Sequence, residues 1–181
     1  MPITFKLENY ISDVYIETGI LYGESIQLAL NSGFKKIYAI DINPLFVESN
    51  RNRYKKEIEE GKLIILEGAS TDVLPQILKT IDSKSTFFLD AHDLDYNGIH
   101  KSKFDKSYEC PVLTEIKIIL EHNIKNHIIM IDDIKMIVNN FGWANGYNIS
   151  LQQIKNKILE INPDYKFDLI EEINGCLICY V

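Results

Sequence analysis

Short apolar segments alternate with amphipathic segments along most of the chain. Five of the apolar runs are rich in Ile, Phe and Tyr, as is typical of strands that are covered on both faces of a sheet. They lie at residues 13–18, 35–42, 62–68, 85–91 and 126–133. Between them, apolar residues recur at helical spacing over residues 24–33, 43–61, 70–81 and 111–123. A strand followed by a helix, repeated in this way, predicts a doubly wound, parallel α/β sheet with right-handed crossovers.

The end of the chain follows a different pattern. A helical segment at 150–162 precedes two strand-like segments, 165–172 and 176–181, which are separated only by the turn "ING". Two strands so close in sequence must pair as an antiparallel hairpin. The pattern therefore predicts a Rossmann-like, mostly parallel seven-stranded sheet with an antiparallel final strand. Because 181 residues suffice for one core, we expect a single domain over residues 1–181.

Charge and composition narrow the class of partner. The net charge is −7 and the sequence pI is about 5.1, with the lysines spread along the chain. Nucleic-acid binding needs a clustered basic surface, so we expect no nucleic-acid partner. The chain lacks an apolar run of the roughly 18 residues that a membrane span needs, and its N-terminus does not resemble a signal peptide. We expect a cytoplasmic protein that makes no membrane contact and binds a small molecule; the oligomeric state stays open.

Several chemically versatile residues are expected to be structural. Cys176 and Cys179 have C-x-x-C spacing, but positions three apart on a strand point to opposite faces. They are therefore interpreted as buried core residues rather than as a metal or redox pair. His122 and His127 flank a helix-to-strand turn and are expected to be solvated. The polar stretches 93–109 and 135–149 are expected to be long loops.

The strongest chemical signal is the stretch "VYIETGILYGESI", residues 14–26. It places Glu17, Gly19, Gly23 and Ser25 in the first strand-to-helix turn, where ligands of open parallel sheets approach the backbone. The dinucleotide-binding fingerprint has a middle glycine that this stretch lacks, and an acid before the first glycine suits a cation better than a phosphate. Two readings stay open: the glycines admit a ligand, or they only allow a tight turn.

The next two strands end in residues that suit a nucleoside. Asp41 lies about twenty residues beyond the glycine turn, where a carboxylate accepts hydrogen bonds from ribose hydroxyls. An acid here can also cap the following helix, although Asn43 is available for that role. The third strand ends in small residues, Gly68, Ala69 and Ser70, which leave room for an adenine ring.

These motifs give the chain a resemblance to the class I S-adenosylmethionine-dependent methyltransferases. Within them it is similar to the small-molecule O-methyltransferase-like groups, whose first motif reads acid-x-Gly-x-x-x-Gly-x-Ser. The resemblance covers about Val14 to Val181, including the antiparallel final strand. It implies that S-adenosylmethionine is the cofactor, with Asp41 on the ribose. By the same resemblance, the residues around its methionine part are Glu17, Gly19, Gly23 and Ser25, and those bordering its adenine are Gly68, Ala69 and Ser70.

Acidic residues also follow the fourth and fifth strands. Asp90 and His92 come after one strand, and Asp132 and Asp133 after its neighbour. Carboxylates that converge at adjacent strand ends repel unless a cation or a proton lies among them. The sequence is similar to metal-dependent O-methyltransferases, in which such acids bind magnesium, so Asp90, Asp132 and Asp133 are candidate metal ligands. In a metal-free alternative, His92 is the catalytic base and Asp90 orients it.

The sequence thus predicts methyl transfer from S-adenosylmethionine to an oxygen of a small-molecule or glycan acceptor. A catalytically inactive binding module of the same fold is the alternative. A nicotinamide dehydrogenase is disfavoured by the missing middle glycine and by the terminal hairpin. The segment after the fourth strand reads "DAHD" and not the Asn/Asp-Pro-Pro-aromatic motif that the nucleic-acid amino-methyltransferases carry.

Overall fold

The computed structural model of the protein describes residues 6–91, 110–141, 144 and 147–181. The strands are β1 (Val14–Thr18), β2 (Lys36–Asp41), β3 (Leu63–Glu67), β4 (Ser85–Leu89), β5 (Ile128–Ile131), β6 (Lys166–Ile170) and β7 (Cys176–Tyr180). The helices are a 3-10 turn at Leu7–Tyr10, followed by α1 (Glu24–Ser32), α2 (Pro44–Arg53), α3 (Lys55–Glu59), α4 (Ser70–Leu78), α5 (Val112–Glu121), α6 (Ile134–Val138) and α7 (Leu151–Ile161).

The strands form one seven-stranded sheet in the order β3-β2-β1-β4-β5-β7-β6. Strands β1 to β5 pair in parallel, and β7 runs antiparallel to both β5 and β6. The predicted fold class is therefore confirmed. Strands β1 and β4 are neighbours, and the helices α1 and α5 that come after them pack on opposite faces of the sheet, which makes the carboxyl ends of these strands the topological switch point. In open α/β sheets this switch point is where ligands bind.

A hydrophobic core lies on each face of the sheet. Helices α4, α5 and α7 cover one face with buried residues such as Leu74, Ile116 and Ile158. Helices α1 and α2 cover the other. On β7, Cys179 belongs to the first core and Cys176 to the second, and both thiols are free. The prediction that the two cysteines point to opposite faces is confirmed.

The helix predicted over 43–61 is interrupted at Tyr54, which separates α2 from α3. Tyr54 is buried, and its hydroxyl donates a hydrogen bond of 2.7 Å to the carbonyl of Gly23. Its backbone leaves helical geometry at φ −107° and ψ 29°. The break thus coincides with a contact to the distant Gly23, which the helical periodicity of the sequence could not predict.

The segment 135–149, expected to be a loop, contains most of α6. Ile134 and Ile137 are buried one helical turn apart. The β6–β7 turn holds the start of this helix, since Ile134 N–H donates to Gly175 O (3.1 Å) and Lys135 N–H donates to Asn174 O (2.9 Å). Because those acceptors lie about forty residues further along the chain, a local reading of the sequence misses the helix.

The expectation that both histidines are solvated is wrong for His127, which is fully buried, whereas His122 is half-buried. The N–H of Ser85 donates to His127 Nδ1 (3.0 Å), so the neutral ring carries its proton on Nε2. That proton faces His122 Nδ1 at 2.9 Å, and His122 Nε2 in turn faces the carbonyl of Ile81 at 3.2 Å. Burial lowers the pKa of His127 to about 4, and the neighbouring His122 adds to this effect. His127 is thus a neutral, hydrogen-bonded residue of the core.

Candidate functional site

The glycine turn between β1 and α1 is packed tightly against the rest of the protein. Gly19 and Gly23 have φ angles of +80° and +76°, which L side chains rarely adopt. A Cβ at Gly19 would lie 2.3 Å from the carbonyl oxygen of Asp90, and one at Gly23 would lie 2.0 Å from Oδ1 of Asn50. The protein's own atoms and the turn conformation therefore account for both glycines, whether or not a ligand also approaches them.

Asp41, predicted to bind a ribose, holds this turn from the side of β2. Its Oδ2 accepts hydrogen bonds from the N–H groups of Ile20 (2.9 Å) and Leu21 (3.1 Å). Its Oδ1 accepts one from Asn43 N–H at 2.7 Å, and Asn43 itself caps α2 through its side chain. A carboxylate offers about four acceptor positions. Asp41 thus links β2 to the glycine turn, and its role toward a ribose stays a prediction.

Side chains of helix α2 donate hydrogen bonds to the backbone carbonyl groups of the same turn. Asn50 Nδ2 donates to Leu21 O (2.8 Å), and Arg53 donates to Tyr22 O (2.9 Å). With the hydrogen bond from Tyr54 to Gly23 O, the carbonyls of three successive residues of the turn, Leu21 to Gly23, each accept a side-chain hydrogen bond. The sequence analysis assigned no role to these α2 side chains, and their spacing carries no motif that could have revealed one.

Glu17 is the residue of this site that most needs an explanation. It is completely buried at the end of β1, and its Oε1 accepts a hydrogen bond from the Ser25 hydroxyl. Its Oε2 has no hydrogen-bond partner within the described part of the chain. Burial raises the pKa of Glu17 to about 8, although the Ser25 hydrogen bond opposes the rise. Such a carboxylate requires either a proton or a positively charged partner.

The predicted adenine border lies at the start of α4. Gly68 has φ +148°, and a Cβ there would lie 2.9 Å from Val73 Cγ2. Ala69 precedes the helix and the buried Ser70 begins it. Close to Ser70 lies Glu115, a fully buried carboxyl group that the sequence analysis missed. In sequence, Glu115 is one polar residue on an amphipathic helix, so its burial could not be recognised.

The acids that follow β4 and β5 are close enough to repel one another. Burial raises the pKa of Asp90 well above its usual range, and the charges of Asp132 and Asp133 raise it further. Burial, with the charge of Asp133, raises the pKa of Asp132 to about 6. Strand β5 ends at Ile131, so both aspartates lie beyond it and do not alternate between faces as strand residues would. The structure thus brings these acids to one end of the sheet.

Asp133 and His92 complete the predicted set. Asp133 has a left-handed backbone (φ 52°), and its Oδ1 accepts a hydrogen bond of 2.7 Å from Asn174 Nδ2. Over residues 6–91, 110–141, 144 and 147–181, no three His, Cys, Asp or Glu side chains are arranged to hold a metal ion. The predicted magnesium site is therefore not supported. His92 lies outside the described residues.

Comparison with known proteins places this geometry in a fold family. Neither a family model nor a curated protein matches the chain, but many solved structures share its fold. An O-methyltransferase from Bacillus cereus in complex with S-adenosylhomocysteine superposes with a TM-score of 0.67 and 13% identity, over 97% of this chain and 76% of that one. The O-methyltransferase TomG from Streptomyces achromogenes, in complex with S-adenosylmethionine, gives 0.67 and 14%, over 97% and 75%.

A third similar structure is the Podospora anserina methyltransferase PaMTH1 bound to S-adenosylhomocysteine. It superposes with a TM-score of 0.59 and 16% identity, over 93% of this chain and 71% of that one. The chain therefore has the fold of the class I methyltransferases. Across the described residues, none of the helices has the length and apolar character needed to cross a membrane.

Proposed function

We propose that this protein transfers a methyl group from S-adenosylmethionine to an oxygen of a small-molecule or glycan acceptor. The observation that carries the proposal is the buried carboxylate of Glu17 beside the glycine turn, whose Oε2 has no hydrogen-bond partner within the described residues. S-adenosylmethionine has a positively charged amino group at its methionine end, and a positive charge next to Glu17 would lower the cost of ionising this acid. The solved structures of the same fold that hold this cofactor or its product support the assignment.

The other predicted residues have proposed places around the same ligand. Bound S-adenosylmethionine would supply a methyl group on a positively charged sulfur. Ser25 would keep Glu17 oriented through its hydrogen bond. Asp41 would receive the ribose hydroxyls, as the sequence predicts. The adenine would lie against Gly68, Ala69 and Ser70. Because side-chain hydrogen bonds fix the backbone of the glycine turn, this turn would lose little conformational entropy when the cofactor binds, which favours affinity.

In the proposed reaction, the acceptor oxygen attacks the methyl carbon while the carbon–sulfur bond breaks, and the acceptor hydroxyl loses its proton. We assign this proton to His92, the base predicted from sequence, with Asp90 in the orienting role that the sequence also predicts. A buried Asp90 is costly to ionise alone, but a protonated His92 would stabilise its charged form. No metal is assigned to this proton transfer, since over the described residues no three His, Cys, Asp or Glu side chains are arranged to hold one.

Thermal unfolding with added nucleotides tests the cofactor. S-adenosylhomocysteine at a hundred times its Kd should stabilise the protein by about 2.7 kcal/mol, while NAD should not stabilise it. Glu17→Gln should lose most of this stabilisation, and Glu121→Gln, which changes an exposed glutamate of α5, should keep it. Stabilisation by NAD and not by S-adenosylhomocysteine would refute the cofactor assignment.

Turnover tests the reaction. Incubation of S-adenosylmethionine with a panel of hydroxylated acceptors should yield S-adenosylhomocysteine, and this should persist in EDTA. His92→Gln should lower the rate by about a hundredfold or more, the usual worth of a general base. Cofactor binding without turnover on any acceptor would favour the inactive binding module instead. Loss of turnover in EDTA with recovery in magnesium would overturn the metal-free route.

A further inference from the structure

The hydroxyl of Tyr15 is buried and has no hydrogen-bond partner within the described part of the chain. Tyr15 lies in β1 and is completely buried. Its ring packs against that of Phe34, with 5.1 Å between the ring centroids. Because the hydroxyl lies on the axis of a packed ring, it cannot turn toward a distant partner. A phenylalanine would fill the same space without the cost of burying a hydroxyl, so this hydroxyl needs an explanation.

A second unpaired polar atom lies on the same face of the same strand. It is Oε2 of Glu17, whose other oxygen accepts the hydrogen bond from Ser25. Strand β1 pairs with β2 and β4 in an uninterrupted register from Val14 to Thr18, and residues two apart on a regular strand point to one face. The hydroxyl of Tyr15 can donate a hydrogen bond and Oε2 of Glu17 can accept one.

The two groups are close, although they do not bond to each other. Burial raises the pKa of Tyr15 well above its usual range, and among the nearby charges that of Glu17 has the largest effect, ahead of that of Asp90. Residues two apart on a strand are separated by about 6.8 Å. A water molecule with a hydrogen bond of about 2.8 Å on each side spans up to about 5.6 Å. One water therefore fits the spacing, and buried waters in proteins typically bond to such unpaired polar groups.

We propose that a buried water molecule binds between Tyr15 and Glu17, accepting a hydrogen bond from the tyrosine hydroxyl and donating one to Oε2 of the carboxylate. Tyr15 is then a positioning residue, which holds Glu17 through the oxygen that Ser25 leaves unbonded. A carboxylate offers about four acceptor positions, so the water leaves room for the amino group of the proposed cofactor. The water binds in the ligand-free protein, whichever ligand the site takes.

An isolated hydroxyl and a water-linked one differ in how Tyr15→Phe changes stability. If the hydroxyl is isolated, the variant is more stable than the wild-type protein, because an unpaired buried group has been removed. If it is linked to Glu17 through water, the variant is less stable. The loss is then greater when Glu17 is ionised, because hydrogen bonds to charged groups are stronger. Glu17 ionises as the pH rises through about 8.

Urea unfolding at pH 6 and pH 9 measures this difference. Tyr15→Phe should raise the unfolding equilibrium constant at both pH values, by a factor at least about threefold larger at pH 9 than at pH 6. Tyr165→Phe is the matched control, since this buried hydroxyl donates to the uncharged carbonyl of His127 at 2.7 Å. Its effect should be the same at both pH values.

A double variant assigns the pH dependence to Glu17. In the Glu17→Gln background, Tyr15→Phe should have the same effect at pH 6 and pH 9, because glutamine does not ionise. Among the described residues, Asp41, Asp90 and Tyr54 also interact electrostatically with Glu17. They are present in every variant, so their contributions cancel in the comparison.

A crystal structure of the ligand-free protein tests the water directly and requires no variant. An ordered water within about 3 Å of both the Tyr15 hydroxyl and Glu17 Oε2 is expected. A direct hydrogen bond between the two groups, or a contact without water, would overturn the proposal. So would a Tyr15→Phe variant that is more stable than the wild-type protein, or one whose loss of stability does not change with pH. None of these results would affect the cofactor assignment, which S-adenosylhomocysteine binding tests separately.

Discussion

Protonation of Glu17 makes cofactor binding measurable as proton release. Burial places the pKa of Glu17 at about 8 in the free protein, so at pH 7 about 0.9 of the molecules carry a proton on this group. An amino group with a positive charge beside Glu17 favours the ionised carboxylate. Binding of S-adenosylhomocysteine should therefore release about 0.9 proton from Glu17 at pH 7 and about 0.5 at pH 8.

Calorimetric titrations in buffers with different ionisation enthalpies measure this number. Glu115 can also exchange protons on binding, so the quantity to compare is the difference between the wild-type protein and Glu17→Gln. At pH 7 this difference should be about 0.9 proton per ligand. The exposed-site control Glu121→Gln should release as many protons as the wild-type protein. If Glu17→Gln binds the ligand and releases the wild-type number of protons, Glu17 does not receive the amino group.

The same raised pKa has a consequence for stability without ligand. The pKa of this acid is 4.5 in the unfolded chain and about 8 in the folded protein. Its contribution to the free energy of unfolding is therefore fully present below pH 4.5. This stability is lost as the pH rises through 8. The loss is about 3 kcal/mol at pH 7 and about 5 kcal/mol well above pH 8. Glu17→Gln should therefore unfold at a higher urea concentration than the wild-type protein at pH 8. A lower midpoint would contradict the assigned pKa.

Three further predictions concern the scaffold of the site. Burial lowers the pKa of His127 to about 4 in the folded protein, so its protonation below pH 6.5 destabilises the fold. Between pH 7 and pH 4, the free energy of unfolding of the wild-type protein should fall by about 3 kcal/mol relative to that of His127→Gln. Urea unfolding measures both values, and a difference that stays constant with pH would contradict this prediction. Gly23→Ala should cost at least about 2 kcal/mol more than Gly61→Ala, because Gly61 has a similar φ of +71° but open space around it; equal midpoints in urea would contradict the steric role of Asn50. Asp41→Ala should lower stability by more than about 2 kcal/mol even without ligand, since the buried N–H groups lose their acceptor, and an unchanged midpoint would contradict its role in the turn.

The main elements of the fold could be predicted because the apolar pattern marks the strands and the helices that cover them. Strands β1, β4 and β5 are buried along their whole length, and such strands read as continuous apolar runs. The short "ING" turn left one way to pair the last two strands. The break at Tyr54 and the short helix α6 were missed because each depends on contacts with segments about thirty to forty residues away. Propensity within a segment does not contain that information.

The candidate site shows the same limit at the level of single residues. Spacing along the chain placed Glu17 and Asp41 at the carboxyl ends of the neighbouring strands β1 and β2, because the fold brings these strand ends together. It could not reveal that the carboxylate of Asp41 is largely occupied by the backbone of the glycine turn, nor that Glu115 is buried beside Ser70. Both facts depend on how α4 and α5 pack and on how the turn folds. Three backbone N–H groups donate hydrogen bonds to the carboxylate of Asp41, which therefore holds the glycine turn together. Glu17 differs, because its buried Oε2 has no hydrogen-bond partner within the described part of the chain, and the proposed function places the charged amino group of the cofactor there.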